Sequence, residues 1–488
     1  MRLAVVSTAE NTNRVLAALQ RQAGDRVEVV LHFGGTKDDI KASALNRMDA
    51  RAGRMGHLFA AQRFTGAAQV LMDSPEFQAS FEDFADQIQR QGAGNAYRSH
   101  PLRSLQDYAD YYHILADVIG QTLIERQVTH CLFFNVPHLT YDTVLFQVAR
   151  AMGLGVTIVS QSLFPNRIFS LTDPADLGDF PADPTAAPYP IERGSRPDLF
   201  YMKGIKQERE AGGHLSARAL VQLLAYLALK RPGLVLRPLH LWRLLRDMRR
   251  VYGGLPKWRD PFARFFHEDA LAYFEHLAGL EDQVLDLSGE YVYFPLQLQP
   301  EMTTSALGGR FRDQAHAIET LAAILPEGVR ILVKENPKQG AFMRGPLFFH
   351  RLRRIPSVTF LPSWADTHAL TGNARFVASI TGTVGWEAIR MGKPALVFGK
   401  AWYRNLPGVI EWREGLSYAE IAGVEVDHAA LERAVGALLA RSHPGVVERH
   451  FARAMAGHDP GASAEETAAS ILAVLEGARA PTFPPQRG

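Results

Sequence analysis

The sequence predicts an α/β protein with two Rossmann-like domains that face each other across a cleft. Strand-length apolar runs alternate with segments of helical spacing in both halves of the chain, and the predicted strands end in polar turns. The chain has 488 residues, more than one core usually holds. We expect domains over 1–172 and 276–478, a loop and basic helical insertion over 173–275, and a disordered tail over 479–488.

The pattern of residues 374–403 predicts a strand, a tight turn, a helix and a second strand. We place the strands at Arg375–Ile380 and Ala395–Gly399, and the helix at Val384–Met391 with Gly392 as its left-handed cap. In a parallel unit of this kind the turn lies at the carboxyl edge of the sheet. The free N–H groups of the helix then attract an anion.

This turn is a candidate phosphate site made by Thr381, Gly382 and Thr383. Glu387, one helical turn further on, can accept hydrogen bonds from ribose hydroxyls. The residues alone leave an ordinary crossover equally open, in which Gly382 only permits close packing and Glu387 caps its own helix.

Three more turns of the second domain carry polar groups at the same predicted edge. Their lysines, amides and hydroxyls suit a phosphate-bearing ligand. With the turn described above they give the predicted ligand-binding set: Gln299, Pro300, Lys334, Asn336, Pro337, Ser363, Thr381, Gly382, Thr383 and Glu387. In the alternative interpretation the prolines only end strands and Lys334 is a solvated surface charge.

The first domain begins with a predicted strand, Leu3–Ser7, and a helix, Thr12–Gln22, although their turn lacks the three spaced glycines of dinucleotide-binding folds. A second strand, His130–Phe134, leads to a loop with His138 and, four residues on, Asp142.

His138 and Asp142 are candidates for a general base and the carboxylate that orients it, and Glu10 is the rival carboxylate. Alternatively, His138 is a packed loop residue and Asp142 caps its helix.

The net charge of +2 conceals a basic segment. Residues 214–264 contain eleven Lys and Arg against two Asp, a net charge of +9, and are rich in leucine. Such helices either lie on an anionic lipid surface or bury their leucines against the protein and expose their arginines. The pattern alone favours burial. No stacking-aromatic or finger motif accompanies the charge, so nucleic acid is not expected as a partner.

The remaining composition favours the cytoplasm. The start of the chain is too short and too soon polar for a signal peptide, and no apolar run reaches the roughly 18 residues that span a bilayer. Cys131 is the single cysteine, so it forms no internal disulfide. The sequence has no Asp-x-Asp pair and no His/Cys cluster with ligand spacing, so we expect neither a metal nor a cofactor.

Three runs of the second domain resemble the bacterial capsular polysaccharide biosynthesis proteins. They are Phe294–Gly309, Leu332–Pro337 and Ile380–Gly399. Phe133–Asp142 also resembles the amino-terminal domain of that group, which is similar to the retaining β-Kdo transferases of capsule assembly and has the two-domain GT-B fold.

The resemblance implies that Gln299-Pro300, Asn336-Pro337 and Thr381–Thr383 surround an activated sugar, since they match the Gln-Pro, His-Pro and Ser/Thr motifs of the family. Asn336 departs from the pattern, because it replaces the family's histidine and cannot carry a charge at neutral pH. An acid or cation role at that position is therefore in doubt.

We accordingly predict a metal-independent glycosyltransferase, cytoplasmic or peripheral at the inner membrane through residues 214–264. It would move a sugar, with Kdo as one candidate, from a nucleotide-activated donor such as CMP-Kdo or a UDP-sugar. The acceptor would be a surface or capsular polysaccharide or its lipid-linked precursor, held by the first domain. A nucleotide-sugar epimerase of the same fold, or a catalytically idle partner in capsule assembly or export, remains the alternative.

Overall fold

The computed structural model describes residues 1–7, 10–34, 40–41, 63–94, 104–195, 221, 224–225, 227–229, 232–253, 276–277, 279–280, 284–299, 301–336, 339, 344–362, 365–448, 455 and 457–485. The side chains of residues 10, 40–41, 89–94, 234–235 and 248–253 lie outside this description. Of the predicted site residues, Pro300, Pro337, Ser363 and the side chain of Glu10 fall outside it.

The first sheet is built from β1 (Arg2–Val6), β2 (Glu28–Gly34), β3 (Ile40–Lys41), β4 (His130–Phe133), β5 (Gly155–Gln161), β6 (Arg167–Leu171) and β13 (His443–Pro444). Their order is β13-β6-β5-β4-β1-β2-β3. The first five strands of the chain are parallel, whereas β6 runs antiparallel to both β5 and β13. Because β1 lies between β2 and β4, the strand order reverses beside β1.

The second sheet contains β7 (Tyr291–Pro295), β8 (Arg330–Lys334), β9 (Val358–Leu361), β10 (Val377–Ser379), β11 (Ala395–Val397) and β12 (Val409–Glu411). These strands are parallel, in the order β12-β11-β10-β7-β8-β9. The order reverses between β7 and β10. The predicted α/β class with two Rossmann-like sheets is confirmed.

The helices are α1 (Glu10–Ala23), α2 (Gln69–Met72), α3 (Glu76–Gly94), α4 (Leu105–Glu125), α5 (Tyr141–Ala151), α6 (Pro232–Val235), α7 (Pro238–Gly253), α8 (Gln314–Ala322), α9 (Pro346–Arg353), α10 (Thr367–Asn373), α11 (Thr383–Arg390), α12 (Tyr418–Ala422), α13 (His428–Arg441) and α14 (Pro460–Leu475). Short 3-10 turns occupy Gly24–Arg26, Pro174–Asp176 and Gly309–Arg312, and Met302–Ala306 forms one π-helical turn.

The unit around residues 374–403 forms as predicted, from the same local signals. Strand β10 is fully buried, α11 starts directly after the turn, and Gly392 has φ of +77° beyond the helix end. A glycine is required there because other residues adopt this conformation only with strain.

The end of the chain returns to the first sheet. Helix α14 packs on α1, and its Ala468 and Ile471 share an apolar core with Leu3 and Val5 of β1. Strand β13 and helix α14, which lie within the span that we predicted as the second domain, therefore contact the first. Helix α14 begins at a cap made by Asp459, whose side chain accepts the N–H groups of Gly461 and Ala462.

The tail also differs from expectation. Thr482 and Phe483 are fully buried, and the backbone N–H of Phe483 donates to Ser170 of β6 over 3.1 Å. Phe483 stacks edge-on against Phe169, with 5.1 Å between ring centroids. Thr482 and Phe483 thus pack into the core of the first domain, within the span that we expected to be disordered.

The basic insertion buries only some of its leucines. Leu227 and Leu244 are buried, whereas Leu236, Leu239 and Trp242 are 81%, 76% and 60% exposed. The expectation that its leucines face the protein is therefore wrong for this stretch. Among the helices of the described residues, none combines the length and apolarity needed to cross a membrane.

Candidate functional site

The candidate site lies where the strand order of the second sheet reverses. The segments after β7 and β10 leave the carboxyl edge side by side, because these two strands are neighbours in the sheet. In open α/β sheets this crevice is the usual place for a ligand. Two of the four predicted ligand-binding turns, those of Gln299 and Thr381, border it.

Gln297 joins the two sides of this crevice. Its Oε1 accepts a hydrogen bond from the backbone N–H of Thr381 at 2.9 Å and another from the hydroxyl of Ser379 at 3.2 Å. Its Nε2 lies 3.5 Å from the hydroxyls of both Thr303 and Thr381. A single buried amide thus fixes the turn after β10 relative to the segment after β7.

Two further glutamines extend the second sheet past the end of β7. The side-chain amide of Gln314 accepts from the N–H of Gln297 at 2.7 Å and donates to its carbonyl at 3.0 Å. Gln339 does the same for Gln299, at 2.8 Å in both directions. Each side-chain amide makes the two hydrogen bonds that a neighbouring strand would otherwise make to the backbone. The backbone N–H and C=O groups of Gln297 and Gln299 are therefore satisfied although the segment is buried.

The N–H and hydroxyl groups of Thr381 form hydrogen bonds within the protein. Its hydroxyl donates to the carbonyl of Thr303 at 2.5 Å, and its N–H is taken by Gln297. The N–H of Gly382 donates to the Ser379 hydroxyl at 3.0 Å. The first turn of α11, beginning at Thr383, follows directly after these bonds.

Two glycines in this unit have no room for a side chain. A Cβ on Gly382 would lie 2.7 Å from the Ser379 hydroxyl oxygen, and one on Gly385 would lie 2.3 Å from the Tyr403 hydroxyl oxygen. The Tyr403 hydroxyl donates to the carbonyl of Gly382, which is the N-cap of α11 and has no side chain to cap the helix. Gly382 and Gly385 therefore permit close packing, and Gly382 also leaves the start of α11 without a side-chain cap.

Lys334 does not present its charge as predicted. It is 9% exposed, and its ammonium group donates to the carbonyl of Ala365 at 2.7 Å and to the hydroxyl of Thr367 at 3.1 Å. The prediction of a direct phosphate ligand is replaced by a lysine that holds the turn before α10. Asp366 is the N-cap of α10, and its side chain accepts a hydrogen bond from the backbone N–H of His368.

Beside Lys334 lies a buried ion pair that the sequence did not indicate. Arg344, fully buried, bonds to the carboxylate of Glu335 and to the carbonyl of Gln297. The same carboxylate oxygen of Glu335 accepts the N–H of Asn336 at 2.7 Å. Asn336, which stands where the family has histidine, is thereby held at its backbone and is partly exposed.

Glu387 lies on α11 and is partly exposed. Its charge helps to raise the pKa of Tyr293, although burial of the Tyr293 hydroxyl is the larger cause. It also faces Arg390 one turn on, and this interaction partly offsets the lowering of the Arg390 pKa by burial. Glu387 is therefore a partly exposed carboxylate one turn into the helix.

On the first sheet, His138 and Asp142 adjoin the crevice beside β1, but not as base and orienter. The ring Nδ1 of His138 bonds to the carbonyl of Val136 at 2.7 Å. Asp142 Oδ1 instead accepts the backbone N–H groups of His138 and Leu139 at 3.0 and 2.7 Å. The predicted orienting role of Asp142 is wrong, because its carboxylate is occupied by the loop backbone.

Burial raises the pKa of Asp142 to about 6, against the lowering effects of His138 and of the backbone N–H donors. Thr140, the N-cap of α5, is buried with φ of +32°. This strained loop holds the His138 ring by its Nδ1–H, so the neutral imidazole carries its lone pair on Nε2.

Glu10 is the first residue of α1, after β1. It is therefore a helical residue at the edge of the same crevice and not a turn residue. Its side chain lies outside the described residues.

Helix α3 connects the two halves of the site. Its Gln87 accepts from the hydroxyl of Thr143 on α5 at 2.8 Å, and its Asp83 forms an ion pair with Arg312 of the second domain. Arg312 also accepts, through its backbone carbonyl, the side-chain N–H of Gln299. The His138 loop and the Gln297 segment are thus both tied to α3.

The residues that sequence analysis missed are structural supports: Gln297, Thr303, Gln314, Glu335, Gln339, Arg344 and Ser379. The alternation of glutamine in Gln297-Leu298-Gln299 directly after an apolar strand was the available signal for Gln297. Nothing local marks Gln314, Gln339 or Arg344, because their partners are distant in sequence.

A two-sheet α/β protein with an uncapped helix end at the strand-order reversal belongs to the class of Rossmann-like ligand-binding folds. Residues 271–419 match the family described as Capsule polysaccharide biosynthesis protein. This segment therefore has the sequence features of that family, which confirms the resemblance drawn from its motifs. No curated protein matches the chain.

Solved structures give only remote similarity. The KpsC β-Kdo 2,7-transferase of Thermosulfurimonas dismutans matches with a TM-score of 0.31 and 10% identity over 73% of this chain and 89% of that one. The corresponding β-Kdo 2,4-transferase has a TM-score of 0.26 and 13% identity over 63% and 78%. The UDP-GlcNAc 2-epimerase of Neisseria meningitidis, bound to UDP-GlcNAc, has a TM-score of 0.23 and 11% identity over 98% and 100%.

Proposed function

We propose that the protein is a glycosyltransferase of capsule polysaccharide biosynthesis that uses a nucleotide-activated sugar. The observation that carries the proposal is the Gln297 network, which fixes the uncapped start of α11 at the crevice between β7 and β10. A helix N-terminus of this kind stabilises phosphate. The family match of residues 271–419 supports the choice of reaction class.

In this proposal each group has one task. The first turn of α11, from Thr383, stabilises the diphosphate or phosphate that leaves the sugar, and Glu387 accepts hydrogen bonds from ribose. Nε2 of His138 takes the proton of the acceptor hydroxyl, while its Nδ1–H stays on the carbonyl of Val136. Lys334, Gln299 and Asn336 position the donor loops. No metal is assigned a role.

Nucleotide binding is the first test. A thermal-shift panel of CMP, UDP, GDP and their sugars should give one clear responder, because a ligand at 100 times its Kd adds about 2.7 kcal/mol to folding stability. Glu387→Gln should weaken that response, and the exposed Glu425→Gln should not. A panel without any responder, or a response indifferent to Glu387, would remove the donor site.

Transfer is the second test. Incubation of the responding sugar nucleotide with and without capsular oligosaccharide distinguishes a transferase, which needs the acceptor, from an epimerase, which acts on the donor alone. A catalytically idle partner would bind nucleotide and do neither. His138→Gln should retain the thermal response and lose transfer.

The exposed apolar stretch of the basic insertion supports peripheral membrane contact. Leu236, Leu239 and Trp242 are exposed beside the exposed Arg243 and Arg246, and the Arg246 guanidinium lies 5.5 Å from the Trp242 ring centroid. Apolar side chains flanked by arginines fit an anionic lipid surface. In flotation assays the protein should bind vesicles with anionic lipid, and a Leu239→Ser, Trp242→Ser variant should not. Equal flotation with neutral lipid would contradict this contact.

A further inference from the structure

A cavity of about 410 Å³ lies apart from the residues of the candidate site. The β5–β6 hairpin lines it through Phe164, Pro165 and Arg167, the segment 187–189 forms the facing wall, and residues 436–440 of α13 form the floor. Its volume is within the roughly 300–1,000 Å³ of small-ligand sites.

The walls of this cavity are aromatic and fixed. The rings of Phe164 and Tyr189 meet edge to face, with 5.5 Å between centroids, and Tyr189 is 37% exposed. The N–H of Tyr189 donates to the carbonyl of Glu432 on α13 at 2.9 Å. Gly436 allows the loop to approach the helix, since a Cβ there would lie 1.9 Å from the carbonyl oxygen of Ala187.

Among the described residues that line the cavity, Arg167 carries the charge. Within the part of the chain that the structure describes, the guanidinium of Arg167 makes no hydrogen bond or ion pair. Arg441 and Arg479 are close enough to act with Arg167 in lowering the pKa of His443, after the larger effect of burial. The nearby carboxylate of Glu466 is engaged by the side-chain N–H of Asn166 at 2.8 Å.

Phe164 also connects the cavity to the candidate site. Its ring lies 6.3 Å from that of Trp386, on the helix α11 whose first turn is the proposed phosphate site. A ligand in the cavity would therefore contact Phe164, which packs against Trp386 of α11. It would not touch the residues proposed to bind the donor.

We propose that this cavity binds an acidic sugar unit of the glycan. The sugar ring lies against Tyr189 and Phe164, and its carboxylate pairs with Arg167 in the two-pronged geometry that guanidinium favours. The aromatic wall and the arginine specify an anionic ring, and the choice of a sugar rests on the proposed function. The site would hold an acidic stretch of the polysaccharide outside the reaction centre.

The test uses the full chain and two matched probes: a tetrasaccharide of alternating glucuronic acid and N-acetylglucosamine, and the same compound with its carboxyl groups reduced to alcohols. Titration calorimetry should show binding of the acidic probe and about tenfold or more weaker binding of the reduced one, because charge-assisted bonds to the carboxylate are lost. Arg167→Gln should weaken the acidic probe similarly, and Tyr189→Ala should weaken it several-fold.

Arg433→Gln is the control, because Arg433 is exposed on α13 and does not line the cavity. It should leave binding unchanged. Equal affinity for both probes, indifference to Arg167→Gln, or displacement of the probe by CMP would overturn the site. If Arg167→Gln does not fold, the two probes and Tyr189→Ala decide the matter.

The outcome is separable from the proposed function. If the nucleotide response of the wild-type protein persists and the acidic probe does not bind, this cavity is not a glycan site. If the acidic probe binds and no nucleotide produces a shift, the donor assignment fails while the cavity stands. Arg167→Gln should retain the nucleotide response, since Arg167 is no part of the donor crevice.

Discussion

The side-chain carbonyl of Gln297 accepts the backbone N–H of Thr381 across 2.9 Å, although the two residues are 84 positions apart in the chain. This bond spans the crevice between β7 and β10, which are neighbours but not consecutive. The start of α11 is therefore positioned from the opposite side of the crevice. Any nucleotide that binds there depends on a residue that need not touch it.

Replacing Gln297 by methionine tests this dependence. The variant keeps the side-chain length and leaves the Thr381 N–H and the Ser379 hydroxyl without their acceptor, which should cost about 1–3 kcal/mol in the free energy of unfolding. Urea unfolding measures this cost. The nucleotide response in the thermal-shift assay should also be lost.

The matched control for that variant is Gln78→Met, because Gln78 is exposed on α3 and its side chain bonds to Glu82 one turn on. It should change neither quantity appreciably. If Gln297→Met unfolds like the wild type and keeps the nucleotide response, the positioning role is wrong.

Local sequence signals account for the unit around α11 and fail for its supports. The turn residues Thr381 to Thr383 and the cap Gly392 are encoded within a few positions of one another, so periodicity and turn chemistry place them. Arg344, one of the buried partners of Gln297, lies 47 positions away, and no periodic pattern links the two residues. Contacts that only tertiary packing creates are not visible in a single sequence.

Tertiary contacts also explain why the predicted roles of Lys334 and Asp142 were wrong. Lys334 follows a strand and carries a charge, which predicts an exposed ligand, but the turn before α10 offers it two oxygen acceptors and buries it. Asp142 lies four residues after His138, a spacing that suits a side-chain pair. The backbone N–H groups of His138 and Leu139 instead donate hydrogen bonds to its carboxylate.

Replacing one residue of the buried pair Arg344 and Glu335 should lower the free energy of unfolding more than replacing both. Arg344→Met alone leaves an uncompensated buried carboxylate, so we expect a loss of about 3–5 kcal/mol in unfolding free energy. The double variant Arg344→Met, Glu335→Gln should recover part of that loss. A double-mutant cycle by urea unfolding measures the coupling.

The exposed pair Arg413 and Glu420, 3.0 Å apart, is the comparison for this cycle. Its coupling should be close to zero, because solvent screens surface ion pairs. Equal coupling energies for the two pairs would show that the burial of Arg344 does not set its contribution.

Asp142 should make the protein less stable as the pH rises through mildly acidic values. Its pKa is about 6 in the folded chain, because of burial, and about 3.9 when unfolded. Between these values the folded state binds more protons, so stability falls as pH increases from about 4 to about 6, by roughly 3 kcal/mol. Asp142→Asn keeps the acceptor for the two N–H groups and should remove this fall.

Glu420→Gln is the control of opposite sign for that pH series. Hydrogen bonds from Ser417 lower the pKa of Glu420, so its contribution is present above the unfolded pKa and is lost as the pH falls. Chemical unfolding at several pH values separates the two. A stability curve of Asp142→Asn parallel to that of the wild type would contradict the assignment.

His443 should destabilise the protein at acid pH. Burial, together with the charges of Arg479, Arg167 and Arg441, lowers its pKa to about 4, and its Nε2 lies 2.7 Å from the hydroxyl of Ser170. The unfolded histidine titrates near 6.5, so between about 6.5 and 4 the unfolded state binds more protons.

The titration of His443 should accordingly lower the free energy of unfolding by roughly 3 kcal/mol as the pH drops across that interval. His443→Gln retains a hydrogen-bonding group for Ser170 and does not titrate, so its stability at pH 4 relative to pH 7 should exceed that of the wild type. The measurement is urea unfolding at both pH values, with the partly exposed His458→Gln as control. Equal pH dependence in wild type and His443→Gln would show that His443 is not held neutral between β6 and the tail.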